Sequence, residues 1–274
     1  MKILVTNDDG IDSPGIWTLA EAVSHVGEVL IVAPDRQQSG VGTSISLHSG
    51  LDIDEISSTI KGVRAYAVGG TPTDCTILGI RRLAEGHVDL LVSGINTGAN
   101  IGSGILGSGT VMPTRLAHSY KIPSFAVSLD MHSRHSQREP LFGFAGRMAQ
   151  LLALSIRNDE MPPGVILNVN VPSIPAEQNR GVAVTRVATI PYRRARTEQR
   201  DDGLIYNRLF TVDDDDPDIE EGTDIWAINK GLVSITPLRF EITDHNLIPA
   251  LVRHTRPLEV TLSSMAVEGT DQPE

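Results

Sequence analysis

The sequence predicts an α/β fold with a mostly parallel sheet followed by a β-rich extension, and three observations carry that prediction. The first is the opening: an apolar run, Ile3-Leu4-Val5, a helix-periodic segment from Pro14 to Val26, and a second apolar run, Val29 to Ala33. Strand, helix and strand within about thirty residues form a βαβ unit, and a crossover of that length returns the chain so that the two strands run parallel. The second is that apolar runs and helical segments keep alternating as far as Val171. The third is a change of pattern after residue 180, where strand-like runs follow one another with no helical segment between them.

Taken in order, Ile3–Val5 is too short for a helix and reads as a buried strand. The helix from Pro14 has Ser13 as its cap, proline in its first turn, and Ile16, Leu19, Ala20 and Val23 on one face. The strand Val29–Ala33 ends at Pro34-Asp35, and residues 35 to 46 form a polar, glycine-bearing loop at its carboxyl end. Thr71, Pro72 and Asp74 make a capping-box-like start to a helix running to about Ala84. Val88–Val92 is the next buried strand, leading into Ser93-Gly94-Ile95-Asn96 and a Gly/Ser/Asn loop that ends at Gly109, with Thr110 opening a helix. A strand at Ser124–Ser128, a helix at Leu141–Ile156 and a strand at Val165–Val171 follow. Val182–Ala188, Leu204–Phe210, Ile225–Asn229 and Val233–Thr236 are predicted as strands. The expected organisation is a catalytic core over 1–180, a β-rich extension over 181–262, and a polar, disordered tail over 263–274.

With 274 residues, 40% of them hydrophobic, the chain is long enough for one large or two small domains with a full, mostly aliphatic core. A net charge of −11 argues against a nucleic-acid polymer as partner. Ten acidic residues and one basic residue lie between Asp201 and Asp224, so the remainder is nearly neutral. The single cysteine, Cys75, rules out an intramolecular disulfide and points to a reducing compartment. No apolar stretch approaches a membrane span, and the expected location is the cytoplasm with no membrane partner. The Arg193, Arg194, Arg196, Arg200 cluster and the acidic run Asp213–Asp216 read first as a solvated arm, with contact to another subunit as the sharper alternative.

The chemistry concentrates at strand ends. Asp8 and Asp9 follow the first strand, the second leads to Ser39-Gly40, and the third to Ser93-Gly94-Ile95-Asn96. In an open α/β sheet these ends share one crevice. Two adjacent carboxylates there repel, and one takes a proton unless a cation lies between them. The donors are all oxygens, and no His/Cys cluster has zinc spacing, so the set favours Mg²⁺ or Mn²⁺. Ser39-Gly40, Gly42-Thr43-Ser44 and Ser108-Gly109-Thr110 add hydroxyls and open backbone amides, and Thr110 starts a helix whose free N–H groups favour phosphate.

Several motifs resemble the survival protein SurE family of metal-dependent 5′-nucleotidases. They are Thr6-Asn7-Asp8-Asp9-Gly10-Ile11, Val32-Ala33-Pro34-Asp35 with Gln38-Ser39-Gly40, Gly70-Thr71-Pro72-Thr73-Asp74-Cys75, Ser93 to Asn100, Ser108-Gly109-Thr110-Val111, Asn168 to Pro172, and Ser234 to Leu238. The resemblance implies a Rossmann-like three-layer core, with the extension serving assembly into a homodimer or homotetramer. It implies that Asp8, Asp9, Ser39 and Asn96 bind one divalent cation per subunit. It implies nucleoside monophosphates as substrates, with 3′-nucleotides and short polyphosphate as further possibilities. Asn7 and Asn100, inside the matched motifs, join Gly40, Thr43, Ser44, Ser108, Gly109 and Thr110 as candidate substrate contacts. The chain departs from the family pattern at Met112 to His118, at Thr73, and at Tyr206-Asn207-Arg208, which puts substrate preference and assembly in question more than the reaction.

The predicted reaction is hydrolysis of a phosphate monoester with Asp8 and Asp9 as the catalytic residues. Either one orients the attacking water, serves as general base, or attacks phosphorus; water attack with Asp8 is favoured. Among rivals, a receiver-type phosphoacceptor needs an aspartate where Asn96 stands, and a dinucleotide oxidoreductase needs a G-x-G-x-x-G after the first strand. A metal-dependent nucleotide sensor uses the same groups as the hydrolase and is the principal alternative. His48 lies just beyond the Ser39 loop, where it could approach substrate, but reads first as an exposed or packed histidine; His118, His245 and His254 have no spacing that marks metal or triad chemistry.

Overall fold

The structure is a computed structural model that describes residues 1–199, 203, 205–211, 216–255, 257 and 258, with only the backbone described for 193–199 and 205–211. The elements, in chain order, are β1 (Lys2–Thr6), α1 (Pro14–Ser24), β2 (Glu28–Pro34), β3 (Ile53–Ile56), β4 (Arg64–Val68), α2 (Pro72–Leu78), β5 (Leu90–Thr97), α3 (Met112–Ser119), β6 (Ser124–Asp130), α4 (Phe142–Arg157), β7 (Ile166–Pro172), β8 (Val182–Val184), β9 (Arg193–Gln199), β10 (Ile205–Thr211), α5 (Asp224–Asn229) and β11 (Val233–Pro237). A π-helical turn, Gly79–Leu83, continues α2 to the predicted end near Ala84.

Nine strands form one sheet in the order β3-β4-β2-β1-β5-β6-β7-β11-β8, with β4 through β7 mutually parallel. β3 and β11 pair antiparallel to their neighbours β4 and β7, and β9 and β10 make a separate antiparallel ribbon. Alternation along β1 sends Ile3 and Val5 to the face covered by α1 and α4, and Leu4 to the face with Cys75 of α2 and Ala117 of α3. Helices on both faces explain why β1 and β2 read as unbroken apolar runs rather than as alternating ones. A third cluster, Ile101, Ala188, Tyr192, Ile225 and Ile228, fills the space between the loop after β5 and α5.

The local signals of the first half hold. Ser13 caps α1 by accepting from Gly15 N, and Thr71 and Asp74 form a full capping box on α2. β5 runs past the predicted Val92 to Thr97, carrying Asn96 on the strand itself. Elsewhere the structure corrects the sequence reading. Ile225–Asn229 is not a strand but most of α5, capped by Thr223 accepting from Trp226 N, so the last segment does contain a helix. Short apolar runs look alike as buried strand and buried helix, and here the cap decides. Of the predicted strand Val182–Ala188 only Val182–Val184 is strand, and β3 and β4 have no counterpart in the prediction. The tail 263–274, Arg200, Leu204 and residues 213–215 of the acidic run lie outside the described residues.

The chain divides into two compact units, Met1–Leu238 and Arg239–Glu274. The first holds the sheet; in the second, residues 248–255 are helical. Among the described residues no helix is long and apolar enough to cross a membrane.

Candidate active site

β1 has β2 on one side and β5 on the other, and the chain leaves it in one direction and returns in the other. The strand order reverses there, and a crevice opens at the carboxyl ends of the two flanking strands. The turn after β1 fills that crevice. Asn7, fully buried, closes the turn by donating from Nδ2 to Gly10 O at 2.9 Å and accepting at Oδ1 from Gly10 N at 3.2 Å. Its side chain braces the turn that presents Asp8 and Asp9. The Asp8 carboxylate is buried and accepts from Thr110 Oγ1 at 2.6 Å, while the Asp8 carbonyl accepts from Gln38 N at 2.7 Å, drawing the loop after β2 to the turn. Asp9 accepts from Thr97 N at 3.0 Å, which ties it to the end of β5.

From β5, Asn96 donates its amide nitrogen to Gly98 O at 2.6 Å, so its oxygen is the end left for a ligand. Asn100 is held more firmly. Its backbone N donates to Asn170 Oδ1 at 2.8 Å, its carbonyl accepts from Asn168 Nδ2 and Asn170 Nδ2 at 2.8 and 3.1 Å, and its own Nδ2 reaches Ser128 Oγ at 2.8 Å and Thr110 Oγ1 at 3.3 Å. Ser108 Oγ accepts from Thr110 N and Val111 N at the entry to α3. α3 thus begins two residues after the predicted start, at Met112, with no side-chain cap, and Ser108 Oγ holds the two amides of the turn that leads into it. Gly109 has to be glycine: a Cβ there would stand 2.8 Å from Asp8 Cβ.

These groups surround a cavity of about 570 Å³ lined by Asp8, Asp9, Gln37, Ser39, Gly40, Asn96–Ile101, Gly104, Gly107, Ser108, Pro191 and Tyr192. The four predicted cation donors, Asp8, Asp9, Ser39 and Asn96, all lie in that lining, as do Gly40, Asn100 and Ser108. Thr110 and Gly109 sit just behind it against Asp8. Thr43 and Ser44 are exposed and outside the lining; the Ser44 carbonyl accepts from Thr71 Oγ1 at 2.6 Å.

Burial pushes the Asp8 carboxyl up to about 6, with the Thr110 hydroxyl pulling it down and the charge of Asp9 pushing it further up. Burial raises Asp9 as well, against the Thr97 and Gln37 hydrogen bonds. No Lys, Arg or His is in the cavity lining among the described residues. A buried and a half-buried carboxylate without a cationic side chain in the lining, flanked by a hydroxyl and an amide oxygen, make a hard-oxygen set that fits a small divalent cation.

Sequence reasoning missed Gln37, Thr97, Pro191 and Tyr192 in the lining, and the bracing roles of Asn168 and Asn170. The asparagines had a visible signal. They alternate with apolar residues in a strand that is buried throughout, and buried amides need partners.

The family model described as "Survival protein SurE" matches residues 3–194. The "5′-nucleotidase SurE" of Geotalea uraniireducens is 41% identical over 254 residues, covering 92% of this chain and 98% of that protein. The "5′-nucleotidase SurE 1" of Thermus thermophilus is 41% identical over 253 residues, covering 92% and 96%. Among solved structures, the crystal structure of the SurE protein from Aquifex aeolicus aligns with a TM-score of 0.76 at 33% identity, over 91% of this chain and 98% of that one.

Proposed function

The chain belongs to the survival protein SurE family, and from that premise we propose that it is a 5′-nucleotidase, a phosphoric monoester hydrolase that converts nucleoside 5′-monophosphates to nucleoside and phosphate. The observation that carries this reading is the convergence of Asp8, Asp9, Ser39 and Asn96 on one cavity beside the start of α3. Those four residues are the ones that would hold a divalent cation, Mg²⁺ or Mn²⁺. When bound, such a cation polarises a phosphoryl oxygen and offsets charge in the transition state.

The protein's own groups do the rest. The Ser108 hydroxyl, whose oxygen accepts from Thr110 N and Val111 N, and the Gly40 backbone amide are the donors this wall offers the phosphoryl group, and Asn100, held by Asn168, Asn170 and Ser128, fixes the shape of the wall beside them. Positioned donors of this kind supply much of the acceleration in phosphoryl transfer. Thr110 holds one oxygen of Asp8, so the carboxylate orients a water at phosphorus. The water oxygen bonds to phosphorus as the P–O ester bond breaks. Asp8 takes the water proton, and the departing nucleoside oxygen is protonated from solvent. The same chemistry extends to 3′-monophosphates and to the ends of short polyphosphates. A homodimer or homotetramer, and a cytoplasmic location, complete the reading.

Phosphate release from a panel of nucleoside 5′- and 3′-monophosphates, with chelator-stripped protein and added Mn²⁺ or Mg²⁺, tests it. Asp8→Asn should lower kcat by at least about a hundredfold. Metal-dependent nucleotide binding without release would replace hydrolysis by sensing, and an Asp8→Asn protein with wild-type turnover would remove Asp8 from the mechanism.

A further inference from the structure

The cavity has two kinds of wall. The inner wall, around Asp8 and Asn100, is braced from β6 and β7 through Ser128, Asn168 and Asn170. The outer wall, with Ile101, Gly104, Pro191 and Tyr192, comes from two loops far apart in sequence that carry no metal donor. They meet at an antiparallel bridge between Gly102 and Pro191, where Ser103 N donates to Ile190 O at 3.1 Å. Gly102 has φ +65°, and a Cβ there would collide with the Ile190 carbonyl, so the approach depends on glycine.

Both loops hang on one carboxylate that the mechanism does not use. Asp224, fully buried at the start of α5, accepts from Gly102 N at Oδ2, and from Ala188 N and Ile225 N at Oδ1, each at 2.9 Å. Only Oδ2 serves the loop after β5; Oδ1 serves the segment before Pro191 and the helix itself. A second tie is independent of it, because Tyr192 Oη donates to the buried Asp130 at 3.1 Å.

The geometry points to Asp224 as a positioning residue that sets the outer wall of the cavity and so governs the fit of the part of the substrate beyond the phosphate. This deepens the nucleotidase reading and rests on it. Because Asn100 is held separately by β6 and β7, loosening Gly102 leaves the reacting end in place. The consequence falls on KM, and the chemical step is spared.

Asp224→Asn separates these roles. Two N–H donors keep the amide oxygen at the Oδ1 place, so the amide nitrogen faces Gly102 N–H, donor against donor, and that one link is lost. The expected result is a rise of about tenfold in KM for adenosine 5′-monophosphate with kcat within about twofold of wild type. KM for ribose 5-phosphate, which lacks the base, should move much less, and the Tm gain on adding Mn²⁺ should be unchanged. An unchanged KM, an equal fall in kcat and kcat/KM, or equal effects on both substrates would overturn the assignment, since a purely structural role lowers Tm without changing substrate preference. If Asp224→Asn does not fold, Tyr192→Phe cuts the second tie to the same wall and should shift the same ratio in the same direction; no shift would overturn the proposal. Wild-type protein that releases no phosphate from any nucleotide would sink the nucleotidase reading instead. The wall would then be judged by the Tm shift that adenosine 5′-monophosphate produces in each variant, and equal shifts would overturn it.

Discussion

Asp8 joins burial, charge and hydrogen bonding in one side chain, and its titration has a definite sign. Without a cation its carboxyl sits at about 6, above the 3.8 of an open chain, so the folded protein binds the proton more tightly than the unfolded one. The associated stability is fully present below about pH 4, is lost as pH rises toward 6, and stays lost above it, at about 1.4 kcal/mol for each unit of displacement. A cation reverses this by favouring the ionised form. The Tm gain from Mn²⁺ should therefore be small at pH 5 and grow through pH 6 to 7, measured by thermal unfolding of stripped and loaded protein; a gain independent of pH would contradict the assignment. The paired aspartates stood out in the sequence because they end an apolar strand whose neighbours lead to further glycine-bearing polar loops; alone, the pair reads equally well as a solvated turn. The brace on Asn100 was not, since nothing in the sequence says that β7 lies within reach of residue 100. Gln37 and Tyr192 were hidden for a similar reason: one adjoins a recognised motif and the other follows a loop whose landing place depends on the fold.

Among the elements, those with both periodicity and a chemical boundary were readable. α1 has Ser13 and Pro14 before a regular apolar face, and α2 has its capping box, and both stand where the sequence puts them. α5 has Thr223 as an equally good cap, but six residues are too few for periodicity to separate helix from strand. β3, with three of four residues exposed, and β4, broken by Arg64 and Tyr66, lack the dense apolar signature of the central strands. The α2 cap also has a task beyond its helix. The Asp74 carboxylate accepts from Thr71 N at 2.9 Å, Ser46 N at 3.1 Å and Ser46 Oγ at 2.8 Å, anchoring the loop that follows Ser39. Asp74→Ala should cost about 1–3 kcal/mol of stability, read as a lower urea midpoint, and should expose residues 40–48 to proteolysis. A variant with the wild-type midpoint and cleavage pattern would refute the anchoring role.

For the whole molecule, the decisive fact is the place of β1 in the sheet. Alternating strands and helices made a parallel α/β sheet legible, but the order of the strands depends on crossovers that no local pattern encodes. That order makes one crevice from the turn after β1, the loops after β2 and β5, and the segment around Pro191. Asp8 and its hydroxyl partner Thr110 stand 102 positions apart. A chain part-way out of the ribosome holds both aspartates long before it holds Thr110 or the asparagines of β7, so a cation finds no finished cage to nucleate. It acts as a late lock on an assembled sheet, which places it after the folding barrier. Refolding in Mn²⁺ should leave the folding rate almost unchanged while unfolding slows in proportion to the stability gained; faster folding would mean that the cage closes early.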